Sequence, residues 1–367
     1  MKILIFSGAF FPSESPRGFR TTELAKELSR EGHDVKVVVF TPNPILVSFD
    51  YGGFSKENNL TVEIIRQRWH LPESQSFFAR LYTRVMTQYA AFPDIQIMRL
   101  LPKVLRREGK YDVLISIAVP HQIHWAIALC GEKELRKHCD TWIADCGDPF
   151  MLCGTLSFKP PFYFRNTEKR WCRMCDFITV PTEGARGGYY PEFREKTRVI
   201  PQGFNYEETP IAEYQKNSMP TFAYAGGFLK NVRDPRAFLE FLSSLDKPFR
   251  FIIYGKGLQL VEPYREKLGA KLVLKDTIPR RDLLMKLSQM DFLINIGYGT
   301  TVQTPSKLID YTLAKRPILT IEQGDLKKDV FMEFLGGDYR HKDAEIDISK
   351  SDIRNVAKAF LKLCMKP

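Results

Sequence analysis

The sequence has no long apolar run. Its nearest approach to the roughly 18 uninterrupted apolar residues of a membrane span, residues 111–131, is broken by Pro120, His121, Gln122 and His124, so no transmembrane helix is expected. The opening Met1-Lys2-Ile3-Leu4-Ile5-Phe6 stops at Ser7-Gly8, which is too short for a signal-peptide core and reads as a buried strand. Cysteine is sparse: seven residues at irregular spacings do not make a secreted disulfide framework and suit a reducing, cytosolic setting. Cys172-x-x-Cys175 has no second Cys-x-x-Cys to accompany it, so no metal site is expected. Gly-x-Ser-x-Gly, His-Glu-x-x-His, a Walker loop and a complete Gly-x-Gly-x-x-Gly are all missing, which removes the commonest hydrolase, zinc-protease, P-loop and dinucleotide readings. No helix-turn-helix, finger or RNA-recognition signature is present, and nucleic acid is disfavoured as a partner. The 23 Gly and 23 Pro are scattered rather than clustered, against collagen-like or disordered chains.

What is present fits two globular domains, since 367 residues exceed what a single core of about 100–200 residues usually holds. Fifty-four Lys and Arg against 43 Asp and Glu give a formal charge of +11, which predicts attraction to something anionic. Short apolar, β-branched runs alternate with helix-length segments, the pattern of parallel sheets with crossover helices. Strands are expected at 2–6, 35–41, 62–66, 111–117, 141–145, 177–181 and 197–201. After a polar stretch with little periodicity they are expected again at 222–225, 251–254, 271–274, 292–296 and 317–321. The segment 352–365 carries Ile353, Val356, Ala357, Phe360 and Leu361 on one side and reads as a closing helix.

In open α/β sheets, ligands bind beyond the carboxyl ends of the strands, so the residues that follow each run are the candidates. Loop 7–20 holds Gly8, Arg17 and Gly18 and reads as a polar-ligand loop or a plain surface loop. After 222–225 come Gly226 and Gly227, then Lys230, Arg233 and Asp234. Two glycines admit close backbone approach and two cations can grip a diphosphate, unless these charges are merely solvated. Tyr254-Gly255-Lys256-Gly257 is a similar turn, with Leu260 where a dinucleotide fingerprint needs its last glycine. In Thr304-Pro305-Ser306-Lys307, Thr304 suits an N-cap and Pro305 a first helical residue, giving an anion site with a lysine built in. Asp310, one turn on, either accepts sugar hydroxyls or pairs with Lys307 on the surface. In the first half His121 follows 111–117 and Asp148 follows 141–145; His121 can orient a sugar hydroxyl and Asp148 can order its loop, or both are structural. Segment 66–110 interleaves aromatic and aliphatic residues with arginines. It fits a basic amphipathic helix on an anionic membrane, or equally a core-facing helix pair with a solvated back.

Taken in order, these residues resemble the glycosyltransferase family 4-like enzymes of the GT-B fold over nearly the whole chain. The resemblance is carried by Phe11-Pro12, Pro16-Arg17-Gly18, Glu23-Leu24-Ala25 through Gly32-His33-Asp34-Val35, Gly147-Asp148-Pro149-Phe150, and Val199-Ile200-Pro201-Gln202-Gly203. Pro305-Ser306-Lys307-Leu308-Ile309-Asp310-Tyr311 to Pro317-Ile318 completes it. It implies an α/β protein of two Rossmann-like doubly wound domains facing a central cleft: an acceptor domain at 1–203, a linker at 204–219, a donor domain at 220–349 and a closing helix at 350–367. It further implies transfer of a sugar from a nucleotide-sugar with retention of configuration, with no metal and no cofactor beyond that co-substrate. By position, His121, Lys230 and Lys307 would be catalytic. Gly226, Gly227, Arg233, Gly255, Ile278, Thr304, Ser306 and Asp310 would bind the donor, and Arg17, Gly18 and Asp148 the acceptor. The chain departs from the family at Val302, where the first of two acidic residues is usual, and at Arg316, where a glycine is usual.

The reading is a cytoplasmic hexosyltransferase of cell-surface polysaccharide biosynthesis, peripheral on the inner face of the membrane, acting on a glycan or lipid-linked acceptor. Two rivals stand beside it. Val302 favours a non-catalytic sugar-nucleotide or glycan-binding relative, and the two α/β domains would suit a nicotinamide-dependent oxidoreductase if its glycine fingerprint were present.

Overall fold

The computed structural model describes residues 1–13, 15–74, 76–147, 149–151, 160–207, 210–231, 233–297, 307–322 and 324–365. The chain divides into two compact units, Met1–Phe204 with Lys350–Pro367, and Asn205–Ser349.

The first unit is built on seven parallel strands: β1 (Lys2–Ser7), β2 (Asp34–Thr41), β3 (Thr61–Arg66), β4 (Tyr111–Ile117), β5 (Cys139–Asp145), β6 (Phe177–Val180) and β7 (Thr197–Val199), in the order β3-β2-β1-β4-β5-β6-β7. Both faces of this sheet are buried, which is why its strands read as nearly continuous apolar runs. Leu4, Phe6, Val38 and Trp142 point into one core, while Ile3, Ile5, Val37 and Ile143 point into the other, following the two-residue period of a strand. The helix Pro16–Arg30 crosses from β1 to β2. Ser15 caps it by accepting from the Gly18 N–H at 3.0 Å, and Leu24, Ala25 and Leu28 are buried beneath it.

The second core is partly closed by the last helix of the chain, Ile353–Cys364, capped by Asp352. Its Ile353, Val356, Ala357 and Phe360 are buried with Leu24 and Leu28. Segment 66–110 resolves into two different objects. The helix Ile97–Arg107 is core-facing, burying Ile97, Leu101, Val104 and Leu105, whereas the helix Phe77–Ala90 buries no residue at all.

The second unit has five parallel strands: β8 (Thr221–Ala225), β9 (Arg250–Tyr254), β10 (Leu272–Lys275), β11 (Phe292–Ile296) and β12 (Ile318–Ile321), in the order β10-β9-β8-β11-β12. Phe222 organises one of its cores, with Phe251 and Phe292 stacked on either side at 4.8 and 4.7 Å and Phe331 edge-on. The stretch read as a linker is strapped to this unit. The Tyr214 hydroxyl donates to Asp291 at 2.6 Å, and the Ala212 N–H donates to Ser288 at 2.9 Å. The Arg316 guanidinium lies 3.4 Å from the centre of the Tyr214 ring, which gives that arginine a packing role.

In both sheets the strand order reverses beside the first strand of the unit, between β1 and β4 and between β8 and β11. A crevice for ligands opens at such a reversal, at the carboxyl ends of the strands.

Candidate functional site

At the carboxyl end of β8 the chain turns through Gly226, with φ of +130°, and Gly227. The neighbouring turn after β9 comes close enough that a Cβ on Gly255 would lie 2.4 Å from the Gly226 carbonyl oxygen. Only a glycine fits there, and the result is two turns laid side by side with the Gly226 N–H donating to Tyr254 at 2.8 Å. Ile278 is half-buried beside Tyr254, Ala225 and Leu308 in the apolar cluster under these turns, a wall against which a flat base can rest.

The helix Lys307–Leu313 is fixed to the same place. The Ala225 N–H, at the end of β8, donates to the buried Tyr311 hydroxyl at 2.8 Å. Asp310 is held by Arg280, which donates through Nε at 2.8 Å and approaches with Nη2 at 2.6 Å. Its partner is therefore Arg280, across the unit, and not Lys307 on its own helix. Burial pushes the Asp310 carboxyl up, and Arg280 opposes the shift.

Lys307 is the odd member of this group. Its Nζ lies 4.2 Å from the centre of the Tyr224 ring, is buried, and finds no hydrogen-bond partner among the described residues. Burial, and then the like charge of Arg233, pull this ammonium down to about 7. Next to Arg233 in sequence, Asp234 accepts hydrogen bonds from the Arg236 guanidinium at 2.8 and 2.6 Å, which hold its carboxyl well below the usual range. Arg233 itself is placed by a tight turn, its backbone exchanging hydrogen bonds with Leu229 at 2.9 and 3.2 Å, and Lys230 is exposed at the tip of that turn. Lys307 and Arg233 thus lie close enough beside the paired glycines for their like charges to oppose one another.

At the carboxyl end of the first unit's sheet a different chemistry assembles. Arg20 donates to Asp145 through Nε at 3.0 Å and Nη2 at 2.6 Å, and to the carbonyls of Ile200 and Pro201. The Thr179 hydroxyl adds a 2.6 Å bond to the same carboxylate. Arg17 is left more loosely held, its Nη1 3.8 Å from Asp145. Its guanidinium lies so close over Gly147 that a Cβ there would sit 1.6 Å from Nη2. Gly18 lies under the loop before its helix, where a Cβ would meet the Ser13 carbonyl at 2.5 Å.

His121 is buried, its ring edge-on to Phe150 at 5.4 Å, and its Nδ1 has no hydrogen-bond partner among the described residues. Burial, with Arg17 adding to it, pulls this imidazole down to about 4, so it is neutral at physiological pH and acts through hydrogen bonds rather than charge. Beneath it His124 is fully satisfied by Ser116 at 2.8 Å and Cys146 at 3.2 Å.

The structure therefore brings together Gly226, Gly227, Arg233, Gly255, Ile278, Lys307 and Asp310 in the second unit, and Arg17, Gly18 and His121 in the first. Lys230 stands at the margin. Asp148, Val302, Thr304 and Ser306 lie outside the described residues. Sequence reasoning missed Arg280, Tyr224 and Tyr311, whose roles come from contacts across 30 to 86 residues that leave no local pattern. It also missed Glu322, which follows β12 and places its carboxylate where a Cβ on Gly297 would come within 2.2 Å. A carboxylate just beyond a strand end was the available signal for that one.

No family model matches the sequence, and no curated protein matches it either. Solved structures do. TarM superposes with a TM-score of 0.65 at 9% identity, over 100% of this chain and 99% of its own. A glycosyltransferase from Rickettsia africae gives 0.63 at 11%, over 99% and 97%. Anabaena HepE, solved in complex with UDP-glucose, gives 0.58 at 10%, over 99% and 98%. With its two parallel sheets and this full-length likeness, the chain has the GT-B fold found in glycosyltransferases.

Proposed function

We propose that the protein is a glycosyltransferase that takes a sugar from a nucleoside-diphosphate donor held by the second unit. The observation that carries this is the buried Lys307 ammonium, which has no hydrogen-bond partner among the described residues and feels the like charge of Arg233, beside the Gly226-Gly227 turn. A diphosphate supplies the negative charge that the Lys307 ammonium lacks among the described residues, and its oxygens can reach the backbone the glycines leave uncovered. As the bond to the sugar breaks, charge builds on the leaving diphosphate, and preorganised cations stabilise that change directly. They supply what a divalent ion would otherwise supply, which supports a metal-independent reaction with no further cofactor. Asp310, steadied by Arg280, is placed for ribose hydroxyls, and Ile278 for the base.

In the first unit the neutral His121 and the Arg17-Gly18 loop would receive the acceptor. Retention of configuration, a hexosyl donor and a role in cell-surface polysaccharide synthesis are supported by the sequence resemblance. A lipid-linked saccharide is the acceptor class that fits a protein working at the inner face of a membrane. The test is a thermal-shift screen against UDP, GDP, ADP, CMP and NAD with and without Mg²⁺. A ligand at 100 times its Kd adds about 2.7 kcal/mol, so a nucleoside diphosphate that shifts the transition in the absence of metal supports the reading. A shift with NAD alone, or with none, would contradict it. Donor binding with neither transfer nor slow donor hydrolysis would move the protein to the non-catalytic reading that Val302 suggests.

A further inference from the structure

A helix on a globular surface ordinarily turns its apolar stripe inward. The helix Phe77–Ala90 does the opposite. Phe77, Leu81 and Val85 follow one another at four-residue steps, and Phe78, Tyr82 and Tyr89 fall beside them, so at about 100° per residue the six cover an arc of about 140°. All six are exposed, Phe78 by 79% and Phe77 by 66%, while Ala79, Thr83, Met86 and Ala90 on the opposite side are partly buried, as is Gln88, the one polar residue within the arc. The patch extends beyond the helix. Phe162 is 85% exposed, and its neighbour Tyr163 donates its hydroxyl to the Tyr89 carbonyl, which ties a second aromatic tip to the end of the same arc. Scattered exposed apolar residues are ordinary, but a contiguous face of this kind marks an interaction surface.

Charge selects the occupant. Arg80 and Arg84 border the arc on one edge, the helix has no acidic residue, and segment 66–91 holds four arginines against one acid, Glu73. Two copies of the chain joined through this face would bring those arginines together. An anionic bilayer instead accepts the aromatic and aliphatic side chains among its acyl chains and the arginines among its headgroups.

We propose that the outward face of the Phe77–Ala90 helix, with Phe162, inserts into the interface of an anionic membrane and docks the first unit there. The docking rests on the surface itself. That it delivers the enzyme to a membrane-borne acceptor rests on the transferase reading.

The test is flotation with vesicles of phosphatidylcholine containing about one third phosphatidylglycerol, against phosphatidylcholine alone, at low and high salt. The protein should float with the anionic vesicles at low salt and remain at the bottom with the neutral ones. The variant Phe78→Ser/Leu81→Ser/Val85→Ser should reduce the bound fraction by at least about tenfold. Arg80→Gln/Arg84→Gln should remove the preference for anionic lipid. The altered side chains are exposed, so both variants should keep the wild-type melting temperature and its nucleotide-induced shift. Absence of flotation, or flotation undiminished in the serine variant, would overturn the proposal. So would sedimentation velocity showing a wild-type dimer that the serine variant dissolves. A wild type that floats but shows no nucleotide shift would support the docking and count against the transferase reading alone.

Discussion

At Lys307 a lysine gives up hydration and gains a ring face and a neighbouring arginine in exchange. Neither supplies a negative charge, so its ammonium is held near 7, and an arriving diphosphate must raise it again. Binding is therefore linked to proton uptake. Above pH 7 the free protein increasingly carries the neutral amine, and the nucleotide must first be matched by a proton. Because the diphosphate itself is already largely ionised in that range, UDP affinity should fall by up to about tenfold for each pH unit from 7 to 9. Titration calorimetry in buffers of different ionisation enthalpy should show uptake approaching one proton at pH 8. A flat affinity profile with no proton uptake would show that the lysine stays charged or does not meet the ligand. His121 moves the other way in its consequences: pulled down to about 4, it contributes no charge anywhere in this range, so the profile belongs to Lys307.

At the scale of elements, the Lys307–Leu313 helix matters because two long-range contacts fix it to the end of β8 and to Arg280. Tyr311→Phe removes the acceptor of the Ala225 N–H and leaves that buried donor unsatisfied, which should cost about 1–3 kcal/mol in urea unfolding. It should weaken nucleotide binding as well, since the end of β8 carries Gly226. Unchanged stability would mean that water replaces the hydroxyl. The elements themselves were largely legible in the sequence. Strand β4 at Tyr111–Ile117 and β11 at Phe292–Ile296 coincide with the expected runs, and most other strands differ by one or two residues at their ends, because fully buried parallel strands are apolar without interruption. The glycine turns and Lys307 were legible for a related reason, as they must follow strand ends. What periodicity could not resolve was orientation. Two successive basic amphipathic segments, Phe77–Ala90 and Ile97–Arg107, have like patterns, yet one buries its apolar stripe and the other exposes it. Nor could Arg316 be placed, since its stacking partner Tyr214 is supplied by a stretch with no pattern of its own.

At the scale of the whole molecule, the chain leaves its first unit, builds the second, and returns to complete the first. Removal of 350–367 would take four buried side chains, Ile353, Val356, Ala357 and Phe360, out of the first unit's core. At about 1.5–3 kcal/mol for each of the three larger ones, the loss is comparable with the 5–15 kcal/mol that stabilises a typical domain. Calorimetry of the truncated chain should show the first unit's cooperative transition abolished or strongly lowered. A transition unchanged from the full chain would mean the closing helix is dispensable. The central claim, however, concerns the second unit: that a nucleoside diphosphate binds there through cations and glycine turns without a metal. Its most direct test is titration of UDP in the presence of EDTA into the wild type and Lys307→Ala. The account predicts metal-free binding to the wild type and a loss of about 1.5–3 kcal/mol in the variant, as for a charged hydrogen bond. Equal affinities for the two proteins, or binding by the wild type only when Mg²⁺ is restored, would contradict it.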